Sequence, residues 1–180
     1  MKKIVVLTGS PRKDGNSNRM AESFARAAQA NGCEVILFDT NEMVIGGCQA
    51  CDSCFSGGEA CIFEDDFNEI AKQLEEAEGI VFVSPVYWYT FSAQIKAVID
   101  RLYSFCVAEK SFAGKKSVLI SCCEEDSLET FDGIKFAYDK TIELLQCENA
   151  GYVLVPGVGA EGDIEKTDGL KMAAQLAEKF

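Results

Sequence analysis

The chain has 180 residues, and 17 Lys and Arg against 29 Asp and Glu give it a formal net charge of −12. That length suits one domain with a real core, and 48% hydrophobic with 26% charged residues is the balance of a folded chain rather than a disordered one. Acidity without a basic cluster argues against nucleic acid or an anionic membrane as partner, because neutralising phosphates takes Lys and Arg.

No apolar run approaches the ~18–20 residues of a bilayer span. Met1-Lys2-Lys3 is followed by only four apolar residues, too few for a signal-peptide core, so the cytoplasm is the expected location. Histidine is absent, which removes imidazole bases, Ser-His relays and His metal ligands. Nine cysteines, an odd number with no export signal, point to metal binding or redox work rather than a disulfide framework.

The predicted elements alternate along the chain. Residues 4–7 form a short, β-branched run that reads as a strand buried on both faces, and Met20, Phe24, Ala27 and Ala28 follow at helical spacing. Residues 35–38 give the second strand, and Phe67, Ile70, Ala71, Leu74 and Ala77 the second helix. Residues 80–83 lead into Phe91, Ile95, Val98, Ile99 and Leu102; residues 118–120 lead into Phe131, Ile134, Tyr138, Ile142 and Leu145. A fifth strand at 152–155 and a closing stripe of Leu170, Ala173, Ala174 and Ala177 end the series. This succession calls for a doubly wound α/β sheet with helices on both faces, which binds ligands beyond the carboxyl ends of its strands. With no repeat, low-complexity tract or linker, residues 1–180 read as one domain. Between Asp39 and Glu64 lies a connection of 26 residues holding four cysteines and four glycines. Loops beyond about 12–15 residues in compact domains are mostly functional or disordered, and the Cys, Phe and Ile content here favours function.

The first strand runs into Thr8-Gly9-Ser10-Pro11-Arg12-Lys13-Asp14-Gly15-Asn16-Ser17-Asn18 before a helix. Small and hydroxylated residues let backbone N–H groups point inward, and a helix N-terminus adds partial positive charge, so this loop reads as a phosphate cradle. Ser10, Asn16, Ser17 and Asn18 offer side-chain donors, and Arg12 a guanidinium fork. Neither a GKS/GKT P-loop nor a GxGxxG fingerprint is present. At residues 84–91 the chain reads Ser-Pro-Val-Tyr-Trp-Tyr-Thr-Phe, and its consecutive aromatics offer a flat apolar wall with polar tips.

Gly9-Ser10-Pro11-Arg12 with Gly15-Asn16-Ser17, and Ser84-Pro85-Val86-Tyr87-Trp88 followed by Ile95-Lys96-Ala97 and Asp100-Arg101, resemble the flavodoxin-like NADPH-dependent FMN reductases over residues 4 to about 155. The resemblance implies a five-stranded parallel sheet of order 2-1-3-4-5 that binds FMN. It places the FMN phosphate on Ser10, Arg12, Asn16, Ser17 and Asn18, and Pro85, Val86, Tyr87 and Trp88 along the ring edge. Arg101 reads as a structural ion pair. A third loop, Ser121-Cys122-Cys123-Glu124, departs from the family's glycine-rich turn; Ser121 and Cys122 are the contacts expected there, and Cys122 and Cys123 read as buried strand-end residues rather than a redox pair.

Cys48, Cys51, Cys54 and Cys61 have the spacing C-x2-C-x2-C-x6-C, flanked by Gly46, Gly47, Gly57 and Gly58, in an insertion loop at about 42–62. Such a set can wrap one tetrahedral ion or a cubane cluster, and three cysteines at x2 intervals resemble [4Fe–4S] runs more than zinc knuckles. The arrangement is similar to the iron–sulfur flavoprotein branch of the same superfamily. The resemblance implies an FMN-dependent oxidoreductase that passes electrons between a donor, FMN and a [4Fe–4S] cluster. Alternatives are an NAD(P)H-dependent FMN or quinone reductase without a cluster, a non-catalytic flavodoxin-type carrier, and a loop holding zinc or packing free thiols. The partners expected are a small-molecule or redox-protein donor and acceptor, and a homodimer or homotetramer.

Overall fold

A computed structural model describes residues 1–180. Five parallel strands, β1 (Lys3–Thr8), β2 (Glu34–Asp39), β3 (Gly79–Pro85), β4 (Lys116–Cys122) and β5 (Glu148–Val155), form one sheet in the order β2-β1-β3-β4-β5. The helices are α1 (Asn16–Ala30), α2 (Phe67–Glu76), α3 (Ala93–Arg101), α4 (Tyr103–Val107), α5 (Asp132–Leu145) and α6 (Gly169–Leu176). Order and layering are those the alternation and the resemblance implied: a flavodoxin-like α/β sheet.

Alternation along the central strands sets the layers, since successive side chains leave a strand on opposite faces. Ile4 and Val6 of β1, Val81 and Val83 of β3, and Val118 and Ile120 of β4 pack with Met20, Phe24 and Ala28 of α1 and Ala173 of α6. Val5, Leu7, Ile80, Phe82 and Leu119 point the other way, into Phe67, Ile70 and Leu74 of α2, Ile95 and Val98 of α3, and Ile134, Tyr138 and Ile142 of α5. Both faces of β1, β3 and β4 are thereby dry, which accounts for their continuous apolar runs.

The boundaries of α3 and β5 differ from the sequence reading. Phe91 is buried but precedes α3, whose N-cap is Ser92, and the stripe through Leu102 is divided there between α3 and the short α4. β5 begins four residues ahead of Tyr152, at Glu148. As an edge strand it is partly solvated, and it slips register against β4 at Ser117/Val118 and carries Gly151 at φ +141°, so its first half has no apolar signature.

At the carboxyl end of the sheet a buried serine network ties strands to loops. Ser121 Oγ donates to the Ser84 carbonyl at 2.7 Å, the Ser92 amide donates to Ser84 Oγ at 3.1 Å, and Ser92 Oγ donates to the Gly9 carbonyl. This fixes the loops after β1, β3 and β4 relative to one another. Residues 40–66 contain no helix or strand.

Candidate functional site

The loops after β1, β3 and β4, with the segment after β5, enclose a crevice lined by Ser10, Arg12, Gly15, Asn16, Ser17, Pro85, Val86, Tyr87, Cys122–Glu125, Val158 and Gly159. Its floor is the N-terminus of α1, where N-cap Gly15 supplies no side-chain cap. First-turn N–H groups have no acceptor within their own helix, so they face the crevice as anion donors. Ser17 is 1% exposed and its hydroxyl makes no hydrogen bond within the chain, which leaves it free for a ligand. A Cβ on Gly15 would stand 2.6 Å from Ser10 Oγ and 3.0 Å from the Arg12 carbonyl, so the cradle closes only around glycine.

Two asparagines expected as phosphate contacts hold the cradle instead. Asn16 lines the crevice, but its Nδ2 donates to the Ala160 carbonyl at 2.9 Å and its Oδ1 accepts from the amides of Gly162 and Ile164 at 3.1 and 3.3 Å. Asn18 Nδ2 donates to the Arg12 and Lys13 carbonyls, both at 3.2 Å, and the side chain stays out of the lining. Ser10 Oγ is bonded to both the amide and the carbonyl of Arg12, at 3.2 and 3.1 Å, and the Arg12 guanidinium donates to the Gly159 carbonyl at 3.1 Å. Ser121 does not line the crevice either: it pairs with Ser84 of β3, whose carbonyl takes its hydroxyl.

The wall is a tight turn. Tyr87 and Thr90 exchange backbone hydrogen bonds of 2.9 and 3.0 Å around Trp88 at φ +49° and Tyr89 at φ +63°, the mirror-image geometry that usually takes Asn and Gly. Pro85, Val86 and Tyr87 line the crevice, whereas Trp88 is 93% exposed and stands outside it. A two-residue turn throws its central side chains outward, so only the first of the aromatics faces the ligand space. The Tyr89 carbonyl sits on α5: a Cβ on Gly133 would lie 2.2 Å from it.

Burial, with Cys123 beside it, pushes the Cys122 thiol up to about 12, and burial with Glu125 pushes Cys123 up to about 11. Both thiols are therefore protonated at neutral pH, as buried strand-end residues rather than a reactive pair. Sequence reasoning missed Val158 and Gly159, and placed Glu124 in the third loop without counting it or Glu125 among the contacts. The Pro156-Gly157-Val158-Gly159 run at the carboxyl end of the last strand was the available signal.

A second pocket lies in the long loop. Cys48, Cys51, Cys54 and Cys61 all line it, together with Phe63, Arg101, Tyr103 and Ser104. Between the cysteines, Ala50, Asp52 and Phe55 occupy left-handed backbone at φ +51°, +53° and +57°, which curls the chain about the pocket. The loop is stapled at both ends. Arg101 donates to Asp65 at 2.7 and 3.0 Å and to the Gly46 carbonyl at 3.0 Å, and Asn68 clasps the amide and carbonyl of Cys61 at 2.9 and 3.0 Å. Phe55 packs edge-on against Phe105 of α4. Burial first, then the neighbouring thiols of Cys61, Cys48 and Cys51, raises the pKa of Cys54. The sulfurs share one lining, yet no three Cys, Asp or Glu side chains stand close enough together to ligate one ion. The donor set still suits a sulfur-bound metal group. Of the buried polar atoms without a partner, the two donors, Arg101 Nε and Ser104 Oγ, both belong to residues of this lining.

The chain is similar to known proteins in sequence and in fold. An iron-sulfur flavoprotein of Archaeoglobus fulgidus is 34% identical over 103 residues, 57% of this chain and 46% of that protein. One from Methanosarcina thermophila is 36% identical over 117 residues, 64% and 59% of the two chains. The chain thus spans about half the length of these relatives. Among solved structures, an FMN-dependent NADH-azoreductase from Bacillus anthracis, in complex with FMN, has the same fold, with a TM-score of 0.74 at 13% identity over 99% of both chains. Residues 2–128, which carry β1, β3 and β4 and the loops that follow β1 and β3, match a family as a whole, and the chain belongs to the NADPH-dependent FMN reductases.

Proposed function

We propose that this chain is an FMN-dependent oxidoreductase whose crevice holds the cofactor. The observation that carries the reading is the uncapped N-terminus of α1, with the unbonded Ser17 hydroxyl beside it, facing the Pro85–Tyr87 wall across one crevice. A phosphate suits the first site and a flat ring the second. Bound there, FMN supplies the chemistry of accepting a hydride or single electrons and passing them on. The chain's own work is binding and orientation. Ser17, Arg12 and the first-turn N–H groups hold the phosphate; Ser10, Asn16 and Asn18 keep their loops in place; Pro85, Val86 and Tyr87 position the ring. Histidine is absent and both crevice thiols stay protonated, so neither an imidazole nor a thiolate serves as a base in the lining.

The four-cysteine loop is read as the holder of a [4Fe–4S] cluster, on the strength of four thiols around one pocket and the relatives' names. Cys48, Cys51, Cys54 and Cys61 would be its ligands, and the group would supply one-electron transfer to a site whose electron donor is NAD(P)H or a redox protein. A second reading, an NAD(P)H-dependent FMN or quinone reductase without a cluster, is favoured by the spread of the sulfurs.

Flavin fluorescence titration tests the crevice. Wild type is expected to quench FMN at one equivalent, and Ser17→Ala to weaken binding about tenfold, the loss of one hydrogen bond to a charged group. Saturable quenching unchanged in Ser17→Ala and Arg12→Ala would overturn the phosphate placement. Iron and sulfide assays after anaerobic purification decide between the two readings of the loop.

A further inference from the structure

Arg101 and Ser104 are each 3% exposed, and each keeps a polar atom without a partner. Most buried donors in folded proteins find an acceptor, so two orphans on one lining need an explanation. Arg101 is held in one orientation. Asp65 takes both terminal nitrogens of its fork, the Gly46 carbonyl takes a further N–H, and the guanidinium lies over Phe67 at 4.6 Å from the ring centroid. Those contacts account for the terminal nitrogens and leave Nε–H as the unbonded donor. Ser104 lies one turn beyond, on α4, where its hydroxyl meets no carbonyl. The other two orphans, Asn18 Oδ1 and Gln94 Oε1, are acceptors and lie outside this pocket.

We propose that Arg101 Nε and Ser104 Oγ donate hydrogen bonds to the sulfur atoms of the group held by Cys48, Cys51, Cys54 and Cys61, and that they raise its reduction potential. This rests on the reading of the loop as a cluster holder. Reduction adds one electron and no proton, so the sulfurs become more negative. A fixed N–H and O–H favour the reduced form, and hydrogen bonds to sulfur are among the protein's means of setting such potentials. The Arg101 charge is offset by Asp65, so its contribution comes chiefly from the directed N–H.

The test is a mediated dithionite titration, followed by electron paramagnetic resonance, of protein loaded anaerobically with ferrous iron and sulfide. Ser104→Ala is expected to lower the equilibrium constant for one-electron reduction about tenfold, a shift of about 59 mV to more negative potential. Ser104→Thr, which keeps the hydroxyl, should restore it, and Arg101→Lys, which keeps the charge but loses Nε–H, should shift in the same direction as Ser104→Ala. Equal potentials in wild type, Ser104→Ala and Arg101→Lys, all carrying full iron and sulfide, would overturn the donor assignment and leave the cluster reading standing. Failure of wild type to take up iron and sulfide would remove that reading and this proposal with it. Ser104→Ala keeps the Arg101–Asp65 pair intact, so the comparison survives even where Arg101→Lys does not fold.

Discussion

Asp65 keeps one of the few buried charges in the chain compensated. Burial, the largest single influence on its carboxyl, pushes the pKa up, but the Arg101 fork and the amides of Gly46 and Phe67 outweigh it and hold it below the ordinary 3.8. The stability this contributes is present above pH 3.8 and is lost as pH falls through the lowered value. Removing Asp65 leaves Arg101 buried and unpaired, so Asp65→Ala is expected to destabilise the fold by about 3–5 kcal/mol, read from urea midpoints. A change under about 1 kcal/mol would show that water reaches Arg101 and that the pair resembles a surface one. At the aromatic turn the balance runs the other way. Trp88 has left-handed backbone and buries little, and Asn tolerates that conformation. Trp88→Asn is expected to stabilise the fold by about 0.5–1 kcal/mol in thermal melts, on the scale of relieved backbone strain. A lowered melting temperature would mean that the ring has a packing role.

At the scale of elements, the site depends on how α5 receives the turn after β3. Gly133 in the first turn of α5 touches the Tyr89 carbonyl, and backbone cannot yield as a flexible side chain can. Gly133→Ala should therefore displace residues 87–90 while the sheet stays intact. The expected result is FMN affinity lowered at least tenfold, about 1.4 kcal/mol, with unchanged far-ultraviolet circular dichroism. Unchanged affinity would detach the turn from the ring site. The third helix is shorter than its apolar stripe at both ends. Phe91 and Leu102 share its apolar stripe, but Ser92 is drawn into the serine network and Leu102 is the junction with α4. Periodicity reports which side chains face the core, not where hydrogen bonding starts and stops.

For the whole molecule, buried thiols set the alkaline limit. Burial raises Cys122 to about 12 and Cys123 to about 11, in each case with a neighbouring acid or thiol adding to it, and burial raises Cys147 to about 11, from an ordinary 9.0. Between pH 9.0 and about 11 the unfolded chain has released these protons and the folded chain has not, so stability falls as pH rises. Burial of Tyr138 works in the same direction, while Lys115, lowered by burial, opposes it. Urea midpoints measured from pH 8 to 10.5 should decline, and a flat profile would contradict the burial of these groups. In iron-free protein at pH 8, mass spectrometry should find exposed Cys48 and Cys51 alkylated by iodoacetamide well before Cys122 and Cys123.

The strand–helix order, the crevice at the carboxyl ends and the compact cysteine spacing were legible because they are local patterns: β-branched runs, helical stripes, a hydroxyl-rich turn, x2 intervals. Central strands read best, since burial on both faces leaves a continuous apolar run, and the solvated edge strand β5 read worst. Which polar residue faces the ligand was decided elsewhere. Asn16 is drawn to residues 158–164, Asn18 to the loop's own carbonyls and Ser121 to Ser84, while Ser17 alone of these keeps its side chain unbonded. A side chain's capacity to donate is written in its residue type. Whether that capacity is still free depends on which carbonyls the fold brings within hydrogen-bond reach, and those come from strands and loops distant along the chain.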